Sequence, residues 1–195
     1  HLDEASAFET LQQAKPWKQE IVAVGLDSSE IGHPPEKFAR VFAEAVKQGY
    51  LTVAHAGEEG PSSNITDALD ILKVSRIDHG VRCVDDPQLV SRLIEQQIHL
   101  TVCPLSNTKL KVFQSMEQHS IVDLLRQGVS VGINSDDPAY FGGYMNDNFA
   151  AVASSFHTSH LELAKFTANA IDASFCSIAR KAELHQNLQH YVDSQ

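Results

Sequence analysis

The chain has 195 residues, 43% of them hydrophobic and 21% charged, the balance of a soluble globular domain rather than of a fibre or a disordered tail. Lys and Arg number 15 against 25 Asp and Glu, a formal charge of −10 that repels phosphate backbones and anionic lipid surfaces, so neither nucleic acid nor membrane is expected as a partner. Cys83, Cys103 and Cys176 show no CxxC spacing and suit a reducing cytoplasm better than a disulfide framework. No run approaches the roughly 20 apolar residues of a membrane span and no signal-peptide pattern is seen, so a soluble, cytoplasmic protein is expected. Initiator methionine is usually removed only before a small residue, so His1 is not expected to be the natural start and an N-terminal part is expected before it.

In chain order, β-branched runs predict strands over Ile21 to Leu26, Leu51 to His55, Arg76 to His79, Ile98 to Cys103 and Val129 to Asn134. Amphipathic stretches between them predict helices over Pro35 to Gln48, Asn64 to Val74, Asp86 to Gln96 and Gln118 to Gln127, with terminal helices from about Tyr144 to Val192. Strands apolar on both faces and joined by helices require a covered parallel sheet. His55, His79, Ser106 with Asn107, and Asp136 with Asp137 all fall at or just past strand C-termini. Polar residues along one rim, without a Gly-rich phosphate loop, favour a (β/α)8 barrel over a doubly wound sheet. A whole barrel takes about 250 residues and eight strands. The expectation is therefore a single α/β domain over residues 1–195, the C-terminal part of a TIM barrel: about strands four to eight plus terminal helices.

The segment Thr52-Val53-Ala54-His55-Ala56-Gly57-Glu58 ends a strand on His55. Gly57 lets the chain turn so that Glu58 faces the same mouth, against the alternation that sets residues three apart on opposite faces. Alone, the segment reads equally as a satisfied histidine and a solvated loop glutamate. Arg76-Ile77-Asp78-His79-Gly80 ends the next strand on another histidine; alone it reads as structural, but two such residues in consecutive βα units favour a shared site. Val131 to Pro138 ends a strand in the adjacent carboxylates Asp136 and Asp137. Asp137 before Pro138 is also a good helix start, whereas two carboxylates at one rim repel each other and a cation relieves that cost. His55 and Asp136 are thus candidate metal ligands. Imidazole nitrogen with carboxylate oxygen suits zinc, whose catalytic sites use three or more protein ligands, so further ligands are expected outside this chain. His33, His99, His119, His185 and His190 read as loop or surface residues, and His157 with His160 as a solvated pair on one helix face. Ser106 and Asn107 either hydrogen-bond a ligand or form an ordinary turn. Cys103, ending an apolar run, reads as a small hydrophobe rather than a nucleophile.

The ordered set Gly25-Leu26-Asp27, His55-Ala56-Gly57-Glu58, Asp78-His79-Gly80, Cys103-Pro104-Leu105-Ser106-Asn107 and Ser135-Asp136-Asp137-Pro138 resembles the adenosine/adenine deaminase family of metal-dependent hydrolases, from about Val22 to Asn148. The resemblance implies one Zn2+ per active site, with His55 and Asp136 as ligands and Asp137 holding the substrate. It implies that Glu58 donates a proton to the purine ring, which requires a raised carboxyl pKa, and that His79 activates or orients the metal-bound water. The family's H-x-H ligand pair on its first strand has no match here. Besides a small-molecule purine, the implied partner is therefore a missing N-terminal barrel part or a complementary chain.

Within that family, Ser28-Ser29-Glu30 followed by Ile31-Gly32-His33-Pro34-Pro35, and the run Cys103 to Leu110, resemble the adenine branch. The implied reaction is zinc-dependent hydrolysis of adenine to hypoxanthine and ammonia, a step of purine salvage. On this reading Glu30 accepts the N9–H that a free base offers and crowds out ribose. The alternative enzyme is an adenosine or N6-substituted purine deaminase. The alternative of another class is a catalytically incomplete barrel fragment acting only as a binding or structural module.

Overall fold

The computed structural model describes residues 1–194, and the chain divides into two compact units, His1–Leu89 and Val90–Gln195. The first holds α1 (Glu4–Ala14), β1 (Ala23–Leu26), α2 (Ala39–Lys47), β2 (Leu51–Ala56), α3 (Ser62–Asp70) and β3 (Arg76–His79). β1 pairs with β2 and β2 with β3, both in parallel, with Leu26 opposite Ala54 and Ala56 opposite His79. β2 buries Thr52, Val53, Ala54 and Ala56, so both of its faces are covered, as a parallel strand requires. Helical spacing turns Val41, Phe42 and Ala45 of α2, and Ile65, Ala68 and Leu69 of α3, toward the interior. A 3-10 turn over Pro35–Phe38 leads into α2, because the two prolines remove backbone donors and fix φ. α1 lies outside the helices expected from periodicity, since Leu11 is its one buried residue. Its start is held locally: Ser6 N–H donates to the Asp3 carboxylate at 2.8 Å, and Arg40 pairs with Glu4.

After α4 (Pro87–Glu95), the second unit continues with β4 (His99–Val102), α5 (Pro104–Lys109), α6 (Ile121–Gln127), β5 (Ser130–Ile133), α7 (Pro138–Phe141), α8 (Met145–Phe156), α9 (His160–Ala173) and α10 (Ile178–Asp193). β4 and β5 pair in parallel, Val102 opposite Ile133. Leu100, Val102, Ile121, Leu124, Val131, Ile133 and Phe166 form the buried interior. The Asn169 amide of α9 donates to the Val131 carbonyl at 3.0 Å, tying that helix to the strand. His157 caps the end of α8 in the left-handed region and His160 opens α9; they do not share a helix face, a correction to the sequence expectation. Among the described residues no two cysteines are joined in a disulfide. No helix among the described residues is long and apolar enough to cross a membrane.

Candidate active site

In the first unit the parallel strands deliver their C-terminal residues to one edge. Asp27 follows β1, His55 lies near the end of β2, and His79 ends β3. Regular alternation would set His79 with its register partner Ala56, away from His55 and its partner Asp78. His79 instead takes φ +62°, which rotates its Cβ relative to the preceding strand. The His55 and His79 rings then meet edge to face with centroids 4.7 Å apart.

Gly57 takes φ +69°, a conformation open to glycine at little cost, and the turn swings Glu58 back toward β3. Glu58 Oε1 lies 3.2 Å from His79 Nδ1, and both side chains are almost fully buried. His55 Nε2 lies 3.5 Å from the exposed carboxylate of Asp27. His55, Glu58 and His79 each bring one ligand atom within 4.8 Å of the others, and Asp27, His55 and Asp78 do likewise. These imidazole and carboxylate donors fit zinc.

Glu30 has a different part from the one expected of it. It is 8% exposed, and its Oε1 accepts from Gly57 N–H at 2.7 Å and from the Asn64 side chain at 3.1 Å. Oε2 accepts from the backbone N–H of Glu58, Glu59 and Gly60 at 2.7, 2.9 and 3.1 Å. With five donors on two oxygens, the carboxylate is saturated and has no lone pair left to read the N9–H of a base. Burial alone would raise its pKa, but the bonds from Asn64 and the backbone of Gly60, Gly57 and Glu58 outweigh it and hold the group below the usual range. The signal for this role lies in Gly57-Glu58-Glu59-Gly60, four consecutive amides around two glycines, the composition of an anion nest.

In the second unit, Asp136 and Asp137 follow β5. Asp136 takes φ +56°, costly for a non-glycine residue and characteristic of functional turns. Its Oδ1 accepts from Asp137 N–H at 2.9 Å. Asp137 is the N-cap of α7 with Pro138 as first helical residue, as its sequence suggests, yet its side chain makes no capping bond and stays exposed. Capping therefore does not occupy that carboxylate.

Ser106 and Asn107 are fully buried in α5 rather than in a turn. The Asn107 side-chain oxygen lies 3.2 Å from His119 Nε2, and His119 Nδ1 accepts from Ile121 N–H at 3.1 Å. His119 is 1% exposed and His99 3% exposed; His99 is corrected from a loop or surface residue to the buried start of β4, and His119 lies in the loop before α6, as expected, but is buried rather than at the surface. Burial pushes His119 down to about 3, so it is a neutral imidazole donating through Nε2. His99 Nδ1 lies 2.9 Å from Ser130 Oγ. Cys103 is buried, as its apolar run suggests, with its thiol 3.7 Å from the Thr101 carbonyl, and burial pushes the Cys83 thiol up to about 12.

A family model described as adenosine deaminase matches residues 1–191. An adenine deaminase of Vibrio parahaemolyticus is 62% identical over 192 residues, 98% of this chain and 57% of the relative. One of Hahella chejuensis is 58% identical over 194 residues, 100% of this chain and 58% of the relative. Among solved structures, the adenine deaminase of Arthrobacter aurescens superposes with a TM-score of 0.96 at 47% identity, covering 98% of this chain and 59% of that one. An amidohydrolase of Burkholderia ambifaria with bound Zn does so with 0.90 at 27%, covering 99% and 56%. Fold and likeness together define a partial α/β barrel of the TIM type, of the class found in amidohydrolase deaminases. The chain belongs to the adenosine deaminase family and resembles its adenine deaminase type. It spans about 57% of the length of the curated relatives it matches.

Proposed function

We propose that this protein hydrolyses adenine to hypoxanthine and ammonia in purine salvage, in the cytoplasm, with one Zn2+ per active site. Residues 1–195 are read as a portion of one barrel domain, the remaining metal ligands coming from another barrel part or a complementary chain. The observation that carries the reading is the buried contact of Glu58 with His79 at 3.2 Å, beside the His55 ring. Likeness to adenine deaminases supports the choice of substrate.

His55 and Asp136 are assigned as metal ligands. Zinc supplies the Lewis acidity that makes water nucleophilic near neutral pH. In the reaction a C6–O bond forms and the C6–N bond to the amino group breaks. His79 orients the attacking water and takes its proton, while Glu58, bonded at Nδ1, fixes the imidazole orientation. Glu58 in its protonated form donates to the ring nitrogen beside C6, where electron density accumulates as water adds. Asp137 orients the purine and passes a proton to the departing amine.

Replacement of Glu58 by Gln in the whole protein keeps the shape and removes the acid. Zinc is expected to stay bound while turnover of adenine falls by about 100-fold or more; near-normal turnover removes Glu58 from this role. Adenosine and N6-methyladenine assayed beside adenine separate the substrate classes, and adenine is expected to be preferred.

A further inference from the structure

We propose that Glu30 is a positioning residue for Glu58: its carboxylate, buried in a cradle of four consecutive backbone amides, locks the loop that aims the proton donor. The proposal rests on the reading of Glu58 given above. Gly57, Glu58 and Gly60 are buried, so without an acceptor their amides would lose hydrogen bonding that water cannot replace. The carboxylate meets this need from a point 28 residues earlier in the chain, on the segment after β1.

Several contacts show that the loop is built around this group. A Cβ at Gly60 would lie 2.8 Å from Glu30 Oε1 and 2.3 Å from Asn64 Nδ2, and one at Gly57 would lie 2.5 Å from Ile65 Cδ1. A side chain at either glycine would thus force these neighbours to shift. The Gly57 carbonyl accepts from Arg82 N–H at 2.8 Å, so the peptide entering Glu58 is held on one side by Glu30 and on the other by the segment after β3. Glu58 Cα is fixed, and only its own side-chain torsions remain, ended by the His79 contact. Displacement of about 1 Å at a reacting group can cost 100-fold in rate, so a loop with two glycines needs such a lock.

The test is a double-mutant cycle in the whole protein, reading kcat and KM for adenine together with zinc content. Glu30→Gln turns a donor toward the amide donors. It is expected to lower kcat about 10- to 100-fold, with KM changed less than about 3-fold and zinc retained. Added to Glu58→Gln, it is expected to cost less than about 2-fold more, because its effect passes through Glu58. Losses that multiply in the double variant point to general destabilisation and overturn the proposal, as does loss of zinc in Glu30→Gln. Normal kcat in Glu30→Gln beside an impaired Glu58→Gln overturns it alone; near-normal kcat in Glu58→Gln overturns the underlying reading as well. Should Glu30→Gln not fold, Asn64→Ala removes one donor and frees Oε1 in part. It is expected to lower kcat roughly 2- to 5-fold, again only where Glu58 is present, and a loss of the same size in the Glu58→Gln background overturns the proposal.

Discussion

His79 and Asp136, each just where a strand gives out, hold φ of +62° and +56°, a conformation that costs a non-glycine residue of order 1–3 kcal/mol. In His79 the return on this strain is visible, because the ring reaches both His55 and Glu58. His119 illustrates the opposite use of a histidine, neutral and internal. Its folded-state pKa is pushed from 6.5 to about 3 by burial, so the unfolded chain binds the proton first. The resulting stability is complete above about pH 6.5 and is lost as pH falls toward 3. Protonation would also turn Nδ1 into a donor facing the Ile121 N–H. Urea unfolding between pH 7 and 4 is expected to show a falling midpoint that flattens in His119→Phe; the same slope in both proteins would assign the dependence elsewhere. The strand-end residues His55, His79, Asp136 and Asp137 were legible because position in a βα repeat exposes them. Glu30, His99 and His119 were not, since their roles come from partners 27 to 34, 31 and 12 residues away, which local pattern does not encode.

The strands were the most legible elements, because a parallel strand covered on both faces must be apolar almost throughout, as β2 and β5 are. β3 appears over the expected residues, Arg76–His79. Helices that bury an apolar stripe, such as α2 and α3, were visible for the same reason, whereas α1 buries one residue and leaves almost no periodicity to find. Short α5 was hidden by Pro104, Ser106 and Asn107, residues with turn chemistry that here sit buried inside a helix. The β2–α3 turn offers a sharp comparison. Gly57→Ala sets a Cβ 2.5 Å from Ile65 Cδ1 at φ +69°, while Gly32→Ala at φ +78° meets nothing within 4 Å. Strain alone is expected to cost about 1 kcal/mol at Gly32, and strain with overpacking about 2–4 kcal/mol at Gly57. Denaturant midpoints check the order, and an equal loss at both sites would show that Ile65 does not confine the turn.

At the scale of the chain, the net charge of −10 disfavours a polyanionic partner. The chain matches about 57% of the length of an adenine deaminase, and on the proposed reading barrel closure and the remaining metal ligands come from another barrel part or a complementary chain. The barrel class was legible because chemistry falls at several strand ends and no phosphate loop occurs, and the family because its motifs follow one another in order. The nest composition is visible in Gly57 to Gly60, but that Glu30 fills it is set by the fold. Zinc stoichiometry of the whole protein, measured beside His55→Ala and Asp136→Ala, decides whether one metal ion joins these two residues. Close to one zinc per site is expected in the unaltered protein and in Glu58→Gln, with severe loss in each ligand variant; full zinc content in either His55→Ala or Asp136→Ala would rule out the shared metal.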